Sequence, residues 1–271
     1  MAKNFGRIGS LTLMLVGVLV IDAFGGIWDR RETIRGSGIE GSETRNISGA
    51  TEIELATIGE LTIEIGDREE LTIEADDNLL EHFITDVTRG RLRITTSDGV
   101  SLRTRRPVRF TVVIKRLEAI AITSSGDVLV VSDLNAIDFE IFSISSGDLE
   151  MEALHCEGDV HVELESSGDV YIRRVAAERL DARLSSSGDL EIDGGAVPAL
   201  HVAISSSGDF VGDGLTCDQA VVRTSSSGDA HVRVTGRLDA RCSSSGDVIY
   251  YGNPDVNSRE SSSGDIYRAG G

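Results

Sequence analysis

Eight aspartates, Asp127, Asp148, Asp169, Asp189, Asp209, Asp229, Asp247 and Asp265, each follow a glycine and recur at spacings of 21, 21, 20, 20, 20, 18 and 18 residues. If each repeat is one coil of a stacked structure, their carboxylates form a column with a rise of ~4.8 Å per coil. Carboxylates that close repel one another unless they turn to backbone donors, stay solvated or share cations. Calcium takes about six to eight oxygens from carboxylates, carbonyls and water, and a serine-aspartate edge could offer several, with Asp148, Asp169, Asp189, Asp209 and Asp229 at its centre. The repeat is not the Gly-Gly-x-Gly-x-Asp nonapeptide of calcium β-rolls. The expectation is a structural turn ladder, with cation binding as the alternative.

A second cluster lies seven residues before the glycine, where successive repeats place His161, Asp181 and His201 in one outward column. Two histidines flanking a carboxylate can hold a transition metal. The histidines would stand two coils, ~9.6 Å, apart at the backbone, which strains shared ligation and favours a surface histidine-aspartate ladder. Five residues after the glycine, Arg173, Asp193, Asp213 and Arg233 share another outward column. Some β-helix proteins cleave polysaccharides with such carboxylates and basic residues, so a polysaccharide-active enzyme is the catalytic alternative. The many serines lack the Gly-x-Ser-x-Gly elbow of a hydrolase nucleophile. Cys156, Cys217 and Cys242 are odd in number and without paired spacing, which indicates neither a disulfide framework nor a metal knuckle. Cys242 falls in an inward column and is expected to be a small core residue.

The elements that must position these residues follow from the repeat itself. Ser-Ser precedes Gly-Asp in all eight cases. Six before the glycine stand Ile120, Ile141, Val162, Ala182, Val202, Val222, Ala240 and Ser258; four before it stand Ile122, Ser143, Leu164, Leu184, Ile204, Thr224, Cys242 and Glu260. Two after it come Val128, Leu149, Val170, Leu190, Phe210, Ala230, Val248 and Ile266. This period of two marks strands with those columns facing inward, so each coil holds at least two strands. The serine two before the glycine shares the inward parity and is expected to form a hydroxyl ladder. Polar columns, such as Glu163, Arg183, Arg223, Arg241 and Arg259 five before the glycine, face solvent. The glycine answers either a positive φ or a close backbone approach, and the aspartate satisfies nearby backbone N–H groups. A second corner is expected about half a period away, at Glu157-Gly158-Asp159, Gly194-Gly195 and Gly212-Asp213-Gly214. The pattern defines an all-β parallel β-helix, a solenoid with coils of about 18–21 residues.

The rest of the chain is consistent with an exported repeat protein. Apolar residues make up 40% and aromatics 4% of 271 residues, so the core must be narrow and filled by Val, Ile, Leu and Ala. A formal charge of -19 repels phosphate backbones and anionic lipid, which argues against nucleic-acid partners. Residues 1–25 read as a signal peptide or N-terminal anchor: Lys3 and Arg7 precede an apolar run from Ile8 to Ile21, shorter than a membrane span, with small residues at Ala23 and Gly25. Residues 26–39 are expected to be a flexible leader. Residues 40–115 form an alternating N-terminal β segment continuous with the solenoid, interrupted by a short helix over Asp77 to Phe83 capped by Asp76 or Asp77. Residues 116–268 are the regular coils.

The order of these segments resembles a known family. After the export signal come Gly36-Ser37-Gly38, Glu52-Ile53-Glu54-Leu55, the run Leu71 to Leu79 (LTIEADDNL), Gly90-Arg91-Leu92-Arg93-Ile94, and then the Ser-Gly-Asp coils. Together they resemble the bacterial head GIN domain family of putative auto-transporter adhesins over roughly residues 36–268. The resemblance implies a right-handed parallel β-helix outside the cytoplasmic membrane, in periplasm or on the cell surface, and brings no catalytic residues. The chain ends at Gly271 without a membrane barrel, so self-export is not expected. The role expected is non-catalytic: an adhesin or structural module that presents strand faces to a glycan or envelope protein, with no cofactor unless calcium. The last coil lacks a capping helix, so self-association through the solenoid end is a further expectation. Any membrane contact would come through an uncleaved N-terminus.

Overall fold

The computed structural model describes residues 32–269; the expected signal segment and residues 26–31 of the leader lie outside it. It is a nearly all-β solenoid of about 8 turns, with 61% of the described residues in strands. Each regular coil carries three strands. In one of them, Phe139–Ser143 forms the first face, Leu149–Met151 the second and Leu154–Cys156 the third, before Asp159–Leu164 begins the next coil. Every strand pairs in parallel with its equivalent one coil on, as in Ile141↔Val162 and Val162↔Ala182. The alternating columns are therefore in register, and the inward residues from Ile120 to Val248 are buried. Two of them are polar: Ser143 Oγ donates to the Ser145 carbonyl and Thr224 Oγ1 to the Gly246 carbonyl.

The second corner proves to be two different corners. Gly158 turns the chain from the third face to the first, whereas Gly194-Gly195 and Gly212–Gly214 match the turn between the second and third faces. Strands of three residues carry too little alternation for parity to separate those turns. The final two coils are shorter, and the shortening takes the form of register shifts between Gly212/Thr216 and Cys217/Gln219.

At the Ser-Ser-Gly-Asp corner the glycine serves close approach and not left-handed backbone, since none of the eight has a positive φ. A Cβ on Gly147, Gly188 or Gly228 would stand 2.1–2.2 Å from the carbonyl oxygen of the glycine one coil before. The expected serine hydroxyl ladder does not form: among the described residues no such serine hydroxyl makes a hydrogen bond. Instead the serine carbonyls accept from the next coil's glycine N–H, as in Gly188 to Ser166 at 2.9 Å and Gly264 to Ser244 at 2.8 Å. The pairing of coil on coil at the corner is completed by these carbonyls, so the serine contributes its main chain and not its hydroxyl.

The strands of the N-terminal part are β1 Glu32–Arg35, β2 Glu40–Asn46, β3 Glu52–Ala56, β4 Glu60–Ile65, β5 Glu70–Asp76, β6 Phe83–Thr88, β7 Arg91–Thr96, β8 Val100–Arg103, β9 Arg109–Ile114, β10 Ala119–Ile122 and β11 Asp127–Val130. Apart from β1 and β8, which form a two-stranded sheet of their own, they join the same sheet in an order that differs from chain order. The first regular coil, β10 and β11, stacks on β3 and β4, which in turn stack on β7 and β9. Antiparallel strands then cover that end: β5 on β9, β2 on β5, and β6 on β7. Phe83 and Phe110 meet edge to face at 5.3 Å beneath them. Part of the expected leader is also ordered, since β1 pairs in parallel with β8.

The turn at Asp77–His82 is a 3₁₀ helix, and Asp76 precedes it without capping it. The buried Asp76 carboxylate instead accepts the N–H groups of Gly38 at 2.6 Å, Arg105 at 2.9 Å and Arg106 at 3.2 Å. It thereby fastens the entering chain to the loop before β9. At the other end the inward columns turn polar: Ser258 and Glu260 are exposed, and Glu260 Oε1 accepts the Ile266 N–H at 2.9 Å.

Two predictions follow from these contacts. Gly188→Ala is expected to destabilise the fold by about 3 kcal/mol. Gly194→Ala, whose Cβ would meet nothing closer than 3.9 Å, is expected to stay within about 0.5 kcal/mol of the parent. Equal melting temperatures for the two variants would refute the close-approach account. Burial by itself raises the Asp76 pKa, but the Arg105, Gly38 and Arg106 amides and the Arg105 charge outweigh it and hold the pKa below its ordinary value. The stability Asp76 contributes is therefore present above the unfolded pKa of about 4 and lost as pH falls through the lower folded value. Asp76→Asn should melt several degrees below the parent at pH 7, and thermal melts of the two should converge as the pH is taken below about 4.

Candidate functional site

The eight corner aspartates form a continuous ladder by a route the sequence only half disclosed. From Asp127 to Asp247 each Oδ1 accepts the backbone N–H of the aspartate one coil on: Asp148 to Asp127 at 3.1 Å, Asp169 to Asp148 and Asp189 to Asp169 at 2.9 Å, Asp209 to Asp189 and Asp229 to Asp209 at 2.7 Å. Asp247 and Asp265 extend it at 2.7 and 2.8 Å. Carboxylate repulsion is thus offset by charge-assisted bonds to the corner backbone, and one oxygen of each bonded carboxylate is committed. A parallel short ladder runs at another corner, where Asp138 Oδ1 accepts the Asp159 N–H at 2.8 Å. Among the described residues, no group of three or more His, Cys, Asp or Glu converges in a way that could hold a metal.

His161, Asp181 and His201 do lie side by side on the first face. His201 Nδ1 is 3.1 Å from Asp181 Oδ2, and His161 Nδ1 is 3.8 Å from Asp181 Oδ1. The Arg223 guanidinium stands 3.3 Å from His201 Nε2, which fits a neutral ring that donates through Nδ1 and accepts through Nε2. Both ring nitrogens are then engaged, and Asp181 Oδ1 is shielded from solvent beside Arg183 Nε at 3.3 Å. The cluster is an ion-pair and hydrogen-bond chain across strands.

The column considered for polysaccharide cleavage is broken up by other partners. Asp193 accepts the Tyr171 hydroxyl, a contact that raises the tyrosine pKa. Arg173 pairs with Glu152 at 2.9 Å, and Arg233 donates to the Asp213 carbonyl oxygen while its guanidinium lies over the Tyr251 ring at 5.2 Å. Arg173, Asp193 and Arg233 thus each have a partner outside the set, and Asp213 meets Arg233 only through its backbone carbonyl. Burial pushes the Cys156 and Cys217 thiols up to about 12, with Asp138 and Asp218 adding to the effect, so both stay protonated. Cys242 is buried in its inward column, and all three thiols are free.

A feature that was visible only as a solvent-facing column becomes a cluster in three dimensions. Arg223 pairs with Arg241, and Arg241 with Arg259, on adjacent parallel strands of the first face. The signal that could have singled them out was one charge sign repeated in consecutive coils at one column.

Fold and columns define a parallel β-solenoid with long solvent faces held in fixed register. The chain belongs to the family described as "Putative auto-transporter adhesin, head GIN domain", whose sequence pattern matches residues 50–254. Among solved structures it is similar to a putative adhesin from Parabacteroides distasonis, at 20% identity over 88% of this chain and 100% of that one, with a TM-score of 0.81. A putative lipid binding protein from the same species gives 23% identity, the same coverage and a TM-score of 0.77. A putative adhesin from Parabacteroides merdae gives 16%, 88% and 99% coverage, and 0.75. Among curated proteins none matches the chain.

If the aspartate ladder is architectural, Asp209→Ala is expected to cost about 1 kcal/mol through the lost bond to the Asp229 N–H. Millimolar calcium is expected to leave the parent melting temperature unchanged. A calcium-dependent rise abolished in Asp209→Ala would instead make the column an ion site.

Proposed function

We propose that the chain is an exported envelope protein that acts without catalysis, as an adhesin or binding module whose strand faces hold a ligand. The observation that carries this reading is the register of the outward columns. Side chains on the first face stand in unbroken rows, such as Glu140, His161, Asp181 and His201, because each strand is paired residue by residue with the next. A surface of that kind is preorganised, so an extended ligand can bind along it with little ordering of the protein. Membership of an adhesin-like family and the charged start of the N-terminal segment support export and surface work. The lipid-binding description of one structural relative is less suited to this chain. Its interior columns are filled by Val, Ile, Leu and Ala, and a surface recess of about 360 Å³ near the first corners sets Leu61, Val128 and Leu129 among four acidic residues, Glu60, Asp127, Asp148 and Glu150, which would repel an anionic headgroup.

Residues 26–271 are expected to bind selected polysaccharides on a glycan array and to leave them uncut. Release of shortened products from a bound polysaccharide would replace this reading with the polysaccharide-active alternative.

A further inference from the structure

We propose that the ladder of Arg223, Arg241 and Arg259, with the serines beside it, binds an extended acidic polysaccharide running along the solenoid axis. This rests on the binding-module reading and names its face and ligand class. The three arginines are exposed and directly paired across adjacent parallel strands, one rung every ~4.8 Å. Like charges placed opposite each other destabilise a sheet, so three in succession oppose the local preference. Their own partners answer little of that charge. Arg241 Nε is 3.5 Å from Asp239 of its own strand, Arg223 contacts the His201 ring, and Arg259 has no ion pair among the described residues.

Two residues further along the chain, just past the end of each strand, Ser225, Ser243 and Ser261 form an exposed row parallel to the arginines. Their hydroxyls donate to carbonyls of the preceding coil, at 3.3, 3.3 and 3.4 Å, which leaves the serine oxygens outward as acceptors for sugar hydroxyls. The rung spacing is comparable with the length of one pyranose unit, so successive uronate or sulfate groups can meet successive guanidinium forks. The net charge of -19 does not forbid this. At physiological salt the Debye length is about 8 Å, and acids on other faces are largely screened from the ladder. An acidic polysaccharide fits better than nucleic acid, because the serine row offers hydrogen bonds to sugar hydroxyls and the face shows no exposed aromatic row for base stacking.

The test is binding of residues 26–271 to polygalacturonate, alginate and chondroitin sulfate by affinity electrophoresis, with neutral dextran and single-stranded DNA alongside. The expected result is retardation by at least one acidic polysaccharide, weakened by salt, and none by dextran. The variant R223Q/R241Q/R259Q should lose at least tenfold in affinity at an unchanged melting temperature. The control R68Q/R109Q/R116Q, which removes as many exposed arginines from the N-terminal end of the solenoid, should bind as the parent does. If the triple variant is unstable, R241Q alone should weaken binding several-fold while folded. Equal losses in ladder and control variants, tighter binding of DNA, or binding of none of the three acidic polymers would overturn the proposal. A neutral glycan found on the array in that last case would leave the binding-module reading standing.

Discussion

The structure depends on how closely one backbone corner can sit on the next. At the Ser-Ser-Gly-Asp corner each glycine lies so near the preceding glycine that a side chain there would overlap its carbonyl oxygen. Because only glycine permits that approach, the serine carbonyl can reach the next glycine N–H and the aspartate carboxylate can reach the next aspartate N–H. One steric condition thus sets two hydrogen-bonded columns. It also brings the flanking strands into parallel register, which lines up the inward Val, Ile, Leu and Ala columns and removes them from water.

A stack of identical coils has two raw ends, and each is treated differently. At the N-terminal end the chain lays down β3 and β4 first and only later inserts β7 and β9 beneath them, with antiparallel strands outermost. That reversal places Asp76 where its carboxylate gathers three amides from two distant segments. At the other end, polar residues occupy the positions that would otherwise extend the core, and Glu260 satisfies a backbone N–H of its own coil. Polar terminal repeats of this kind keep a solenoid from exposing core surface.

The same register that builds the core fixes the chemistry of the faces. Neighbouring coils bring His161, Asp181 and His201 together, and they also bring Arg223, Arg241 and Arg259 together. In the first set Asp181 bonds to His201 and pairs with Arg183, whereas in the second the three guanidinium groups stay exposed. That difference, and not residue type, separates a structural cluster from the surface proposed to bind a ligand.

Much of this was legible in the amino acids. The spacing of Gly-Asp disclosed the coil, and the period of two disclosed which residues face inward, because a strand alternates sides whatever its neighbours do. The membership of each column followed from alignment on the glycine alone. The number of corners did not, since three-residue strands such as Leu149–Met151 are too short for alternation to mark their ends. Nor could the sequence say which atoms of a column bond to one another. Whether Asp148 turns to a cation, to water or to the Asp169 amide depends on the separation and tilt of two coils 21 residues apart. Those are properties of the stacked backbone. The sequence by itself determined the repeat and the sidedness of its residues; the tertiary structure decided the partners, because hydrogen bonds and ion pairs depend on distances that only the packed coils set.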